Sequence, residues 1–197
     1  LLAIISVLVI VSSTVRAQDQ VMVESVSETP LAYDVDVVVY GATSGGLPAA
    51  AAAAREGKSV LLVEHLPFLG GLLGGGFNMH QDVPFRETLG GITGWWYDRV
   101  SKYAGEHNRV RENRALAREM LSPYADRIQI LTEYRIRSIT MDGDRIVSIT
   151  LENATTDEYG IPAPRPTSEK TAVAKGRVFI DASYEGDLMA MAKVSYT

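Results

Sequence analysis

Cysteine is absent from this chain. That absence excludes disulfides, thiolate nucleophiles, Cys-ligated metals and any prosthetic group linked through Cys. Histidine is scarce: His65, His80 and His107 are the three in the chain. None is placed in a His-x-x-x-His or similar ligand spacing, so no metal is expected. Basic residues do not dominate either. Lys and Arg number 19 against 24 Asp and Glu, for a net charge of −5. Nothing electrostatic favours nucleic acid or an anionic membrane surface. The one long apolar run, Leu1 to Val11, is too short to span a bilayer.

That run instead has the shape of a targeting segment. Ser12-Ser13-Thr14 leads to Val15-Arg16-Ala17, with small residues placed for signal-peptidase cleavage before Gln18. The expected organisation is a signal peptide over 1–17, a polar linker over 18–33 and one α/β domain over 34–197. Export to the periplasm or the extracellular space follows. No Cys comes after the apolar run, which argues against a lipoprotein. The chain starts at Leu1 without a positively charged n-region, and Ser195-Tyr196-Thr197 arrives before a structural unit closes. It therefore reads as a fragment of a longer protein.

Asp36 to Tyr40 is an apolar strand that runs into Gly41-Ala42-Thr43-Ser44-Gly45-Gly46, then an alanine-rich helix, then Ser59 to Val63 and Glu64. Strand, glycine turn, helix, strand and an acid about 20 residues on form the βαβ layout of dinucleotide binding. Each part has a physical task. Gly41 permits the tight turn, and Gly46 lets the helix approach the strand. The helix start offers N–H groups and partial positive charge to a pyrophosphate. Glu64 stands where a carboxylate accepts ribose hydroxyls. The pattern departs from G-x-G-x-x-G at its second glycine, which is Thr43, and a side chain there narrows the approach of backbone to phosphate.

Along the chain we expect strands at 35–40 and 59–64 around a helix at 45–57. A second glycine cluster, Leu69-Gly70-Gly71-Leu72-Leu73-Gly74-Gly75-Gly76, implies backbone held close to a bulky group or several positive-φ turns. Helices are expected at 93–104 and 112–122, within an inserted substrate-side segment at about 75–125. Trp95, Trp96 and Tyr97 read as packing residues, and Arg111, Arg114 and Arg118 as a solvated face. A strand at 128–131 is followed by a hairpin, 135–141 and 145–152, turning at Asp142-Gly143-Asp144. Pro162, Pro164 and Pro166 mark 153–170 as an exposed loop. Two strands, 171–174 and 177–181, are expected on either side of Lys175-Gly176. His65 and His107 read as surface residues, and His80, after the glycine cluster, is a weak catalytic candidate.

The last signal is Val178-Phe179-Ile180-Asp181-Ala182-Ser183-Tyr184-Glu185-Gly186-Asp187-Leu188, a strand entering small residues, an acid-glycine-acid turn and a helix. Asp187 alone would serve as a helix cap. Together with the first glycine motif and with Glu64 plus the second glycine cluster, this segment resembles the FAD-dependent oxidoreductases of the glutathione-reductase-like fold. More narrowly, the chain is similar to the group often labelled xanthan-lyase-like, which also tolerates Thr at the second glycine. The likeness spans about 35–197, the N-terminal part of such a protein.

The resemblance implies a Rossmann-like FAD-binding domain, βαβ plus a β-meander, incomplete at its C-terminus. It implies that Gly41, Thr43 and Gly46, with Ser44 and Gly45 between them, face the FAD pyrophosphate, and that Glu64 faces the adenosine ribose. Gly70 and Gly71 would lie toward the ribityl and flavin end. Ile136 would offer backbone contacts to adenine. Asp181 and Ala182 would stand where the chain re-enters the FAD domain, and Glu185 and Asp187 near the phosphates. Ser183-Tyr184 departs from the Thr-Gly common in related flavoproteins. A small organic substrate would pass a hydride to flavin N5, with substrate and electron acceptor unidentified. An NAD-dependent dehydrogenase and a non-catalytic exported binding protein are the competing readings. The hairpin and the Glu185-Gly186-Asp187 turn favour FAD over NAD.

Overall fold

A computed structural model describes residues 29–76, 85–102 and 109–195. The expected targeting segment, most of the expected linker, His80 and His107 lie outside the described residues. Six strands form one mixed sheet: β1 (Leu31–Tyr40), β2 (Val60–Glu64), β3 (Ile128–Thr132), β4 (Tyr134–Asp142), β5 (Arg145–Asn153) and β6 (Thr171–Asp181). Their spatial order is β3-β2-β1-β6-β5-β4. β1 lies parallel to both β2 and β6, and β2 is parallel to β3. β4, β5 and the first half of β6 are antiparallel, with Ser148 opposite Lys175 and Glu152 opposite Thr171. The parallel half is the βαβ unit, and the antiparallel half is the meander.

β2 is buried along its whole length, as a continuous apolar run in a parallel sheet should be. Successive side chains point to opposite faces. Val37, Val39, Val60 and Leu62 pack under the helices, while Val38, Leu61 and Val63 pack with Ile149, Leu151 and Leu188 on the other face. Helix α1 (Gly46–Arg55) follows β1, and its Ala50, Ala51 and Ala54 let it sit close to the sheet. Pro48 falls in its first turn, where the missing N–H costs nothing. Helix α2 (Gly71–Gly75) forms inside the second glycine cluster. Helices α3 (Gly91–Lys102) and α4 (Arg109–Leu121) cover the α1 side, and α5 (Asp187–Met191) follows β6. Among the described residues no helix is long and apolar enough to cross a membrane.

Three details differ from the sequence expectation. β1 starts at Leu31, so Leu31, Ala32 and Tyr33 of the expected linker pair with Ala172, Val173 and Ala174. β6 is one strand rather than two. Gly176 marks close packing instead of a turn: a Cβ there would lie 2.9 Å from Val38 Cγ2. Arg114 is also not simply solvated. Its guanidinium stacks 3.9 Å over the Phe68 ring and its Nε donates to Gly74 O at 2.7 Å. Asn113, buried beside it, donates to Leu73 O and accepts from Trp96 Nε1. α4 thus fastens the end of α2, and Trp96 is a core residue as expected.

Candidate cofactor-binding site

Three turns meet at the C-terminal ends of β1, β2 and β6. The first is Gly41 to Gly46. Gly41 has φ +99°, and a Cβ on it would fall 2.7 Å from Ser183 N, so the turn after β6 lies directly against it. A Cβ on Gly46 would collide with Gly41 O. Both glycines are required by backbone meeting backbone. Thr43, the departure from the glycine pattern, is 6% exposed. Its Oγ1 donates to Ala182 O at 2.7 Å and accepts from Gly45 N and Gly46 N at 3.2 and 3.3 Å. The hydroxyl caps the start of α1 and ties the first turn to the third. Ser44 and Gly45 are exposed at that helix start.

The second turn begins at Glu64, which is 2% exposed. Its Oε2 accepts from Ala42 N at 2.7 Å, and its Oε1 accepts from Leu66 N and His65 Nδ1, each at 3.0 Å. The acid at the end of β2 therefore shapes both neighbouring turns. His65 is half-buried against it, and the hydrogen bond to Glu64 raises the imidazole pKa above its ordinary value, with burial opposing and Glu185 and Asp187 adding to the rise. Gly70 N donates to Ala42 O at 2.8 Å, which locks the glycine cluster onto the first turn. Gly70 and Gly71 both have positive φ, +108° and +54°.

In the third turn Asp181 is the organiser. Its Oδ1 accepts from Ser183 N and Ser183 Oγ, and its Oδ2 accepts from Met189 N at 2.8 Å. Ser183 Oγ in turn accepts from Gly186 N. Tyr184 leaves this rigid turn and its hydroxyl accepts from Leu72 N at 2.9 Å.

Between the turns lies a cleft of about 550 Å³. Gly41, Thr43, Glu64, Gly71, Glu185 and Asp187, candidate cofactor-binding residues from the sequence, line it. Ser44, Gly45, Gly46, Gly70, Asp181 and Ala182 shape the turns from behind or beside it. Ile136 is not brought to the cleft. Its side chain is buried in the sheet and its N–H donates to the Tyr40 hydroxyl at 3.2 Å. Burial pushes the Tyr40 phenol up to about 12, so it stays a neutral partner for that amide. The neighbouring Arg135 faces the cleft instead. It pairs with Glu152 at 2.7 Å and donates to Ala163 O and Pro164 O, which seats the proline loop as a wall with Pro162 in the lining. His65, Phe68, Arg135 and Tyr184 are lining residues that sequence reasoning missed. The aromatic Tyr184, at a turn position where a small residue is common, was the available signal. Among the described residues no group of His, Cys, Asp and Glu gathers as a metal site.

The fold and these three turns define a dinucleotide-binding α/β protein. The family profile described as FAD dependent oxidoreductase matches residues 36–197, and the chain belongs to that family. No curated protein sequence matches it significantly. Among solved structures it is similar to a flavoprotein/dehydrogenase from Cytophaga hutchinsonii, with 18% identity and TM-score 0.51 over 83% of this chain and 43% of that one. It is similar to a geranylgeranyl bacteriochlorophyll reductase-like protein from Thermoplasma acidophilum, with 13% identity and TM-score 0.51 over 83% and 43%. A myxobacterial chondrochloren halogenase, described as a variant of FAD-dependent halogenases, matches at 17% identity and TM-score 0.50 over 77% and 37%. At these identities the likeness establishes the fold. The chain spans less than half the length of each.

FAD is the cofactor of this family, and the residues present fit it. The glycine positions leave no Cβ between the three turns. The cleft size is in the range of small-molecule sites, and Glu64, His65, Arg135, Glu185 and Asp187 place polar groups among apolar and glycine residues in its lining.

Proposed function

We propose that this chain is the cofactor-binding part of an exported FAD-dependent oxidoreductase acting on a small organic molecule. The observation that carries the reading is the meeting of Gly41–Thr43, Glu64–Gly71 and Ser183–Asp187 around one cleft, from segments far apart in sequence. In this reading the first turn and the start of α1 hold the pyrophosphate, and Glu64 with His65 orients the adenosine ribose. Arg135 and the proline loop enclose the nucleotide end, and Gly70 and Gly71 lie toward the flavin. Bound FAD supplies hydride acceptance from a substrate carbon. The chain's own contribution is to hold the dinucleotide, exclude water from it and fix its orientation. Export rests on the Leu1–Ala17 segment. N-terminal sequencing of the secreted product should then begin at Gln18.

The test is the visible spectrum of the purified full-length protein before and after acid precipitation. Bands at about 370 and 450 nm that pass to the supernatant are expected, as for non-covalent flavin. Bands remaining in the pellet would indicate a covalent link and direct attention to His80. A colourless protein that gains no bands with added FAD would overturn the reading.

A further inference from the structure

Tyr184 bridges the cleft. It projects from the turn after β6, and its hydroxyl accepts the Leu72 amide on the opposite wall at 2.9 Å. Both residues line the cleft. The bridge passes over Gly71, where a Cβ would strike the phenolic oxygen and would also lie 3.1 Å from Thr43 Cα. Glycine at 71 is thus what lets the hydroxyl reach its partner.

The two ends of the bridge differ in rigidity. The backbone under Tyr184 is held by Asp181 to Ser183 and Met189, by Ser183 to Gly186, and by Thr43 to Ala182. Tyr184 is 52% exposed. Its hydroxyl makes one protein hydrogen bond among the described residues. A half-exposed aromatic on a fixed post, held at its tip by a single neutral hydrogen bond, can swing at modest cost.

We propose that Tyr184 and the Leu72 amide form a clasp that competes with the dinucleotide for the cleft. This rests on the FAD reading above. An extended ligand laid along the three turns meets this ring, so the ring must release the amide before the ligand seats. The closed population then lowers apparent affinity by the fraction it occupies.

The experiment is stopped-flow flavin fluorescence with FAD and the full-length apoprotein, comparing wild type, Tyr184→Phe and Tyr184→Ala, with circular dichroism to confirm folding. Tyr184→Phe keeps the ring and removes the acceptor. Its association rate should rise about fivefold, with dissociation unchanged and Kd lowered about fivefold, as expected for loss of one neutral hydrogen bond. Tyr184→Ala should associate at least as fast. Hydrogen exchange at the Leu72 amide should quicken in Tyr184→Phe with no FAD present. A raised Kd in Tyr184→Phe would make the hydroxyl a cofactor ligand and overturn the clasp, as would unchanged rates or unchanged exchange. If wild type itself binds no FAD while Leu72 exchange still responds to the substitution, the FAD reading fails and the contact stands.

Discussion

The Thr43 hydroxyl donates to the Ala182 carbonyl at 2.7 Å, joining positions 139 residues apart. The same oxygen accepts from Gly45 N and Gly46 N. In a glycine-rich dinucleotide turn the second glycine ordinarily leaves room for phosphate. Here the side chain at that position turns away to lock the first turn to the third, so Thr43 narrows the approach less than its bulk implies.

This relationship predicts an asymmetric pair of variants. Thr43→Ser keeps the hydroxyl and should lose at most about 1 kcal/mol, the value of a buried methyl group. Thr43→Gly restores the glycine pattern, yet it removes the cap and the cross-link and adds backbone freedom. It should lose about 2 kcal/mol. Urea unfolding of the full-length protein measures both. Equal stability of Thr43→Gly and wild type would show that the hydroxyl holds nothing together.

The glycines separate in the same way. A Cβ on Gly46 meets the Gly41 carbonyl oxygen, and backbone on both sides prevents relief. Gly46→Ala should therefore cost more than about 3 kcal/mol or prevent folding, with FAD binding lost alongside. Gly90 precedes α3, has no positive φ and would place a Cβ in open space. Gly90→Ala should stay within about 0.5 kcal/mol of wild type. Thermal unfolding of the two variants side by side checks this, and similar melting temperatures would count against the packing account.

Much of this architecture was legible in the residues. The continuous apolar run Val37–Tyr40, the alanine run, the acid at Glu64 and the Asp-Gly hairpin turn each carry a local pattern or a φ requirement, and Gly143 indeed has φ +58°. What was not legible was of two kinds. Gly176 announces a break, but its demand comes from Val38 in a neighbouring strand, which no local pattern encodes. Ile136 and Arg135 differ by one residue, and in a strand that step reverses the face. The Ile136 amide pairs with the Tyr40 hydroxyl, 96 residues away, and Arg135 lines the cleft. The partners of Phe68, stacked under Arg114, and of Tyr184, bonded to Leu72, were invisible for the same reason. Residue type shows what a side chain can do, while its partner is set by topology.

The Glu64–His65 contact makes stability depend on pH. The folded pKa of His65 lies above its unfolded value, chiefly because Glu64 accepts its Nδ1–H. Folding then favours the protonated imidazole. Its stabilising contribution is complete below the unfolded pKa of about 6.5 and is lost as pH rises through the folded value. Compared with His65→Gln, wild type should be more stable at pH about 5.5, and the advantage should shrink steadily as pH rises beyond about 6.5. Glu185 and Asp187 contribute to the rise, so their removal should weaken the dependence without abolishing it. Glu64→Gln should abolish most of it. The same variant should also cost about 2–4 kcal/mol at every pH, because a side-chain NH₂ would then face the Ala42 or Leu66 amide. Urea unfolding across that pH range reads both effects. An advantage of wild type over His65→Gln that grows with pH would mean that the imidazole is neutral against Glu64, and the electrostatic account of the contact would be lost.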